Sequence, residues 1–130
     1  MKLLFKSITA IALGLTAGIA LAEPDYLTTH NNTNEESNAY IAGYIPSPYA
    51  TPGNTTRQLY WTMVRMACWG HTTNGKCSAL IKIGTDTANP KDLGTVTMDM
   101  DTGDITPKLI NSQGYTIIIN GPGEATINKD

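Results

Sequence analysis

The residue types best suited to chemistry in this 130-residue chain are two histidines, two cysteines and a series of aspartates. His71 follows Trp69-Gly70 in a loop. To act as a general base it needs an orienting acid and a nucleophile, which its neighbours in sequence do not supply. No Gly-x-Ser-x-Gly string presents a serine on a strained turn. His30 lies in a polar stretch rich in Asn and Thr. Both histidines therefore read as exposed, and no residue is assigned a catalytic role.

Asp99, Asp101 and Asp104 invite a Ca²⁺ reading, because hard cations gather closely spaced oxygen ligands. The spacing Asp-x-Asp-x-Gly-Asp departs from the EF-hand pattern, which places its third acid before the Gly and a Glu later. The expected roles are structural, with Asp101 and Asp104 shaping a turn and Asp99 on a wet strand face. No metal or cofactor is expected, and Ca²⁺ titration should register no binding. Met63 and Met66, and Met98 and Met100, are soft enough for copper(I), but strand geometry puts the first pair on opposite faces. All four read as core fillers.

Cys68 and Cys77 are the only cysteines. They lack the further soft ligands of a metal site and the Cys-x-x-Cys-His of haem attachment, so they read as one disulfide. Aromatic residues are unevenly distributed. Tyr40, Tyr44, Tyr49, Tyr60, Trp61 and Trp69 fall between residues 40 and 69, and the single Phe is Phe5. Tyr and Trp join rigid contact area to a polar handle, which suits binding surfaces. Tyr60 and Trp61 are expected in the core; Tyr49, Trp69 and His71, in or beside loops, are the candidate binding residues.

The elements that position these residues begin after an export signal. Lys2 and Lys6 precede an apolar run from Ile8 to Ala20, and Ala20-Leu21-Ala22 forms a small-x-small cleavage site. Residues 1–22 read as a cleavable signal peptide, giving a mature amino terminus at Glu23. The run is too short and too dilute in Ala and Gly to span a bilayer, and no membrane insertion is expected after cleavage. Cleavage leaves seven basic against eleven acidic residues, a net charge of −4. Such a surface has no clustered basic residues for nucleic acid. Asp86, Asp92, Asp99, Asp101 and Asp104, opposed locally by Lys91 alone, suggest a negative end.

Residues 23–37 (EPDYLTTHNNTNEES) offer little to bury and read as a solvated, flexible arm. Residues 38–130 read as a single β domain. Ala39 to Ile45 resembles a first strand, and the Pro-rich stretch after it a loop. Leu59 to Trp69 is apolar on both alternating sets and reads as a strand covered on both faces. Its partner is Cys77 to Ile83, with Cys77, Ala79, Ile81 and Ile83 inward.

With the cysteines directly opposed, Met66 faces Ala79, Val64 faces Ile81 and Thr62 faces Ile83; a tight turn at Asn74-Gly75 instead opposes Thr72 to Cys77. The first register is preferred, because the second separates the cysteines on an extended chain. A turn at Thr102-Gly103 pairs Met100 with Ile105 and Val96 with Leu109. A last hairpin joins Tyr115–Ile119 to Glu124–Asn128.

Short strands punctuated by turns, without a convincing helix, define an all-β fold, a small antiparallel sandwich or barrel with one disulfide. The functional expectation is an exported, non-enzymatic binding module that contacts a protein or glycan in the periplasm or the extracellular medium. The alternatives are a small secreted hydrolase, and a structural subunit that assembles by strand addition with the Asn-rich arm as donor.

Overall fold

The computed structural model describes residues 22–130. Residues 1–21 of the expected signal peptide lie outside the described residues. The described chain forms two facing sheets, as expected for an all-β sandwich. In one sheet the order is β4 (Thr55–Tyr60), β1 (Tyr26–Asn31), β11 (Glu124–Lys129), β10 (Tyr115–Gly121), β9 (Leu109–Ser112). In the other it is β3 (Ile45–Pro46), β2 (Ser37–Ile41), β6 (Lys76–Ile83), β7 (Lys91–Asp99), β8 (Ile105–Thr106), with β5 (Thr72–Thr73) also paired to β6. All pairs are antiparallel except β1 with β11.

The expected solvated arm is corrected. Residues 26–31 are β1, flanked on both sides by strands, and so are unavailable for donation to another subunit. Its polar composition is tolerated because one face is open and the other ends on Asn31, a buried amide whose hydrogen bonds are internal. Asn31 Nδ2 donates to the carbonyls of Glu35 (2.7 Å), Thr51 (3.2 Å) and Pro52 (3.3 Å), while its Oδ1 accepts from Thr33 N (3.1 Å) and Thr33 Oγ1 (2.7 Å). That network ties β1 to the loop between β3 and β4.

The expected strand at residues 59–69 is also corrected. Strand β4 ends at Tyr60 and continues directly into helix α1 (Trp61–Cys68). Trp61, Val64 and Cys68 recur at i, i+3 and i+7, one helical face, and these are the residues buried. Tyr60 and Met66, expected in the core, are exposed instead.

The disulfide Cys68–Cys77 is present, with Cα atoms 6.0 Å apart, but neither anticipated strand register describes it. The Asn74-Gly75 turn does form, with positive φ at both residues as a type I′ turn demands, and Thr72 opposes Cys77. Because Cys68 arrives from a helix end, that tight turn and the bond coexist. Cys77, Met98 and Met100 join Cys68 around Ile41, Trp61 and Val64 in one core cluster; Ile83, Leu93, Tyr115, Ile117 and Ile127 form a second. The register of β7 with β8 also differs from expectation by two residues, since Met98 opposes Ile105. The final hairpin forms as read.

Removing the bond is expected to matter because it joins helix to sheet over a separation of nine residues. The double variant Cys68→Ala/Cys77→Ala should lose about 2 to 3 kcal/mol. In calorimetry that corresponds to a melting temperature lower by about 10 °C. An unchanged melting temperature would show that packing alone fixes α1.

Tyr115 is buried in the second cluster with its hydroxyl donating to Glu35 Oε2 at 2.6 Å. That hydrogen bond to a carboxylate, then burial and the Glu35 charge, push the phenol from 10.0 up to about 12. A proton held more tightly in the folded state means that this contribution is complete below the ordinary phenol value and is lost as pH rises toward the shifted one. Urea denaturation should therefore show the advantage of the native chain over Tyr115→Phe shrinking between about pH 10 and about pH 12. A pH-independent difference would separate Tyr115 from alkaline stability.

Candidate functional site

Helix α1 ends at a corner that presents the candidate residues Trp69 and His71. The Cys68 carbonyl accepts from His71 N at 2.8 Å, Trp69 has φ −59° and ψ 129°, and Gly70 has φ +80°. These are the dihedrals of a type II turn, whose third position demands the positive φ that glycine adopts freely. The second position of the turn projects outward, and it holds Trp69, 83% exposed. Both ends of the corner are fastened, one by the disulfide at Cys68 and the other by β5 pairing back onto β6.

Neighbouring side chains extend the surface. Met66 is 75% exposed one turn earlier on α1, and Tyr44 is 69% exposed beyond β2. The Tyr44 and His71 rings meet edge to face with centroids 6.5 Å apart. An open cleft beside Trp69 is lined by Arg65, Thr72, Gly75, Met100 and Asp101. Arg65 is held there by Glu23, whose carboxylate accepts from Nε at 3.0 Å, and by the Met100 carbonyl at 3.0 Å. The Glu23 hydrogen bond is the main reason that the Arg65 pKa is raised.

Tyr49 belongs elsewhere. It is half-buried in the loop between β3 and β4, with the Arg57 guanidinium carbon 5.7 Å from its ring centroid, and it lines a space between the sheets. Residues that sequence reasoning left out are Tyr44 and Met66, the first assigned to a strand and the second to the core. The signal for Met66 was its helical position opposite Val64.

The aspartates divide their work differently from the expectation. Asp99, not Asp101 or Asp104, shapes the turn, since its Oδ1 accepts from Asp101 N (2.8 Å) and Thr102 N (3.1 Å). The Asp101 hydrogen bond is the leading cause of its lowered pKa. Asp92 pairs with Lys82 at 3.4 Å, Asp101 with Arg65 at 3.6 Å, and Asp104 with Lys108, so much of the expected negative end is balanced by cations. Among the described residues, no group of three or more His, Cys, Asp or Glu side chains is placed to hold a metal ion.

His30 acquires neighbours that its sequence context did not suggest. Its Nδ1 is 2.9 Å from Thr56 Oγ1 and its Nε2 is 2.6 Å from Glu124 Oε2. The order hydroxyl, imidazole, carboxylate could relay a proton, but acyl transfer also needs donors facing a developing oxyanion. The row spans β4, β1 and β11 on the sheet face opposite the interior, with Thr28, Gln58 and Thr126 as its same-face neighbours by register. It reads as a cross-strand polar row that fastens the one parallel pair.

Fold and site together define a small, disulfide-pinned β-sandwich that displays a rigid aromatic corner. A family model described as "NttC: T2SS substrate NttC" matches residues 1–130. The chain belongs to this family, and the protein is therefore an exported one. It is similar to the chain in the crystal structure of the Legionella pneumophila type II secretion system substrate NttC, with 64% sequence identity and a TM-score of 0.82. That match covers 82% of this chain and 99% of the other. A search of the curated proteins found no match.

Proposed function

We propose that this protein is a type II secretion substrate released to the extracellular medium, where it acts as a non-enzymatic module that binds a protein or glycan through the aromatic corner. The observation that carries the binding reading is Trp69, 83% exposed on a turn whose two ends are fastened. Leaving a large indole in water forgoes about 1.5 to 3 kcal/mol of burial, which contact with a partner would recover. Anchors of this kind bind well when ordered beforehand, because little side-chain and loop entropy remains to be lost. Family membership supports the secretion reading, and the amino-terminal Lys2, Lys6 and Ala20-Leu21-Ala22 pattern supports cleavage before Glu23.

A glycan array, together with cross-linking capture on intact bacterial and eukaryotic cell surfaces, tests the binding. The Trp69→Ala/Tyr44→Ala variant should lose at least about tenfold in signal, as expected for anchor residues, while its melting temperature stays within a few degrees. Equal binding by variant and parent would remove the aromatic corner from the function. Secretion is tested separately, by the protein's retention in cells that lack a working type II system.

A further inference from the structure

The two sheets leave an apolar cavity of about 130 Å³ between the core clusters, with Leu27, Leu59, Ile81, Val96, Ile117 and Ile119 in its wall. Empty apolar cavities of about this size stay dry and admit a benzene-sized guest. The side bounded by β8 and β9 is crossed by the chain itself at Pro107. The opposite side lies between the edge strands β3 and β4, where residues 47–54 form the covering loop.

At that second side the lining becomes polar. Arg57 belongs to the alternating set of β4 that turns inward with Leu59. Its Nη1 donates to the Ala50 carbonyl at 2.9 Å, and its guanidinium lies over the Tyr49 ring. Among the described residues, no carboxylate lies within ion-pair distance of it. A half-buried guanidinium with unspent donors at the edge of an apolar space is a place for an anion that carries its own apolar tail.

We propose that this cavity binds a medium-chain aliphatic carboxylate, with the alkyl tail between the sheets and the carboxylate on Arg57 beside Tyr49. The tail replaces empty volume with contacts, and the head supplies the counter-charge that the protein withholds. The site is separate from the Trp69 corner. An inward charge on an edge strand also discourages pairing with another sheet, and the experiment has to distinguish that role.

Octanoate is the probe, titrated by calorimetry and followed by methyl chemical shifts of Val96, Ile117 and Ile119, with 1-octanol as the neutral control. Octanoate should bind at least about tenfold tighter than octanol, and Arg57→Gln should erase that preference while leaving octanol binding intact. Ala125→Leu, which fills the cavity, should weaken both. If Ala125→Leu fails to fold, Ala79→Leu fills the same space from the other sheet. No octanoate binding, equal affinity for the two probes, or an Arg57→Gln variant that self-associates yet binds octanoate normally would each overturn the proposal.

Discussion

Trp61→Ala should destabilise the protein by about 4 kcal/mol, read as a lower urea midpoint with little change in slope. The residue is only 2% exposed, at the point where β4 passes into α1. Its backbone N–H donates to the Asp25 carbonyl and its indole Nε1 to the Met100 carbonyl, both at 3.0 Å. One residue thus connects the amino-terminal segment, through its backbone, to the turn after β7, through its side chain. Small domains of this size hold about 5 to 15 kcal/mol in all, so the loss approaches the margin. Trp61→Phe separates volume from hydrogen bonding. Met100 O also accepts from Arg65 Nη2 at 3.0 Å, so the carbonyl keeps a partner. The cost of that variant should be nearer about 1 to 2 kcal/mol. Equal losses for Phe and Ala would show that the indole N–H, rather than packing, carries the junction.

Asn31→Leu should cost about 3 kcal/mol although it exchanges side chains of similar size, because the buried Thr33 N–H and the Pro52 carbonyl lose the amide, and the Glu35 and Thr51 carbonyls and the Thr33 hydroxyl each lose one of their partners. Asn31 is 1% exposed, and the groups it satisfies belong to the segment that connects β1 with the covering loop. Asn31→Asp keeps the acceptor oxygen but removes both N–H donors, and it should fall in the same range while becoming worse as the carboxyl ionises. Denaturation at two pH values checks the contrast. Hydrogen exchange should report faster opening of residues 47–54 in either variant. A neutral Asn31→Leu would mean that the surrounding loop repacks without the amide.

The oxidised pair, the inward alternation of Cys77, Ala79, Ile81 and Ile83 and the last hairpin were all legible locally, whereas the tight Asn74-Gly75 turn was set aside for a register that opposed the cysteines directly. Each depends on residues within a few positions of one another, where a positive φ at glycine or a period of two has few alternatives. Trp69 and His71 were legible as exposed for the same reason, lying beside a turn-forming Gly. Tyr49 was not, since a loop residue becomes cavity lining only when two distant sheet edges meet around it.

By itself, then, the sequence determined a mostly β, disulfide-bonded domain, because composition and turn chemistry act at short range. It did not determine the role of residues 26–31, whose polar pattern resembles a solvated arm until β4 and β11 satisfy its backbone from either side. Nor did it choose between strand and helix at residues 61–68, where alternation and an i, i+3, i+7 pattern coexist within one short window. Tertiary structure decided both. A strand is stabilised by partners far along the chain, and an eight-residue helix is too short to be stable alone, so it forms where Trp61, Val64 and Cys68 find a core to cover.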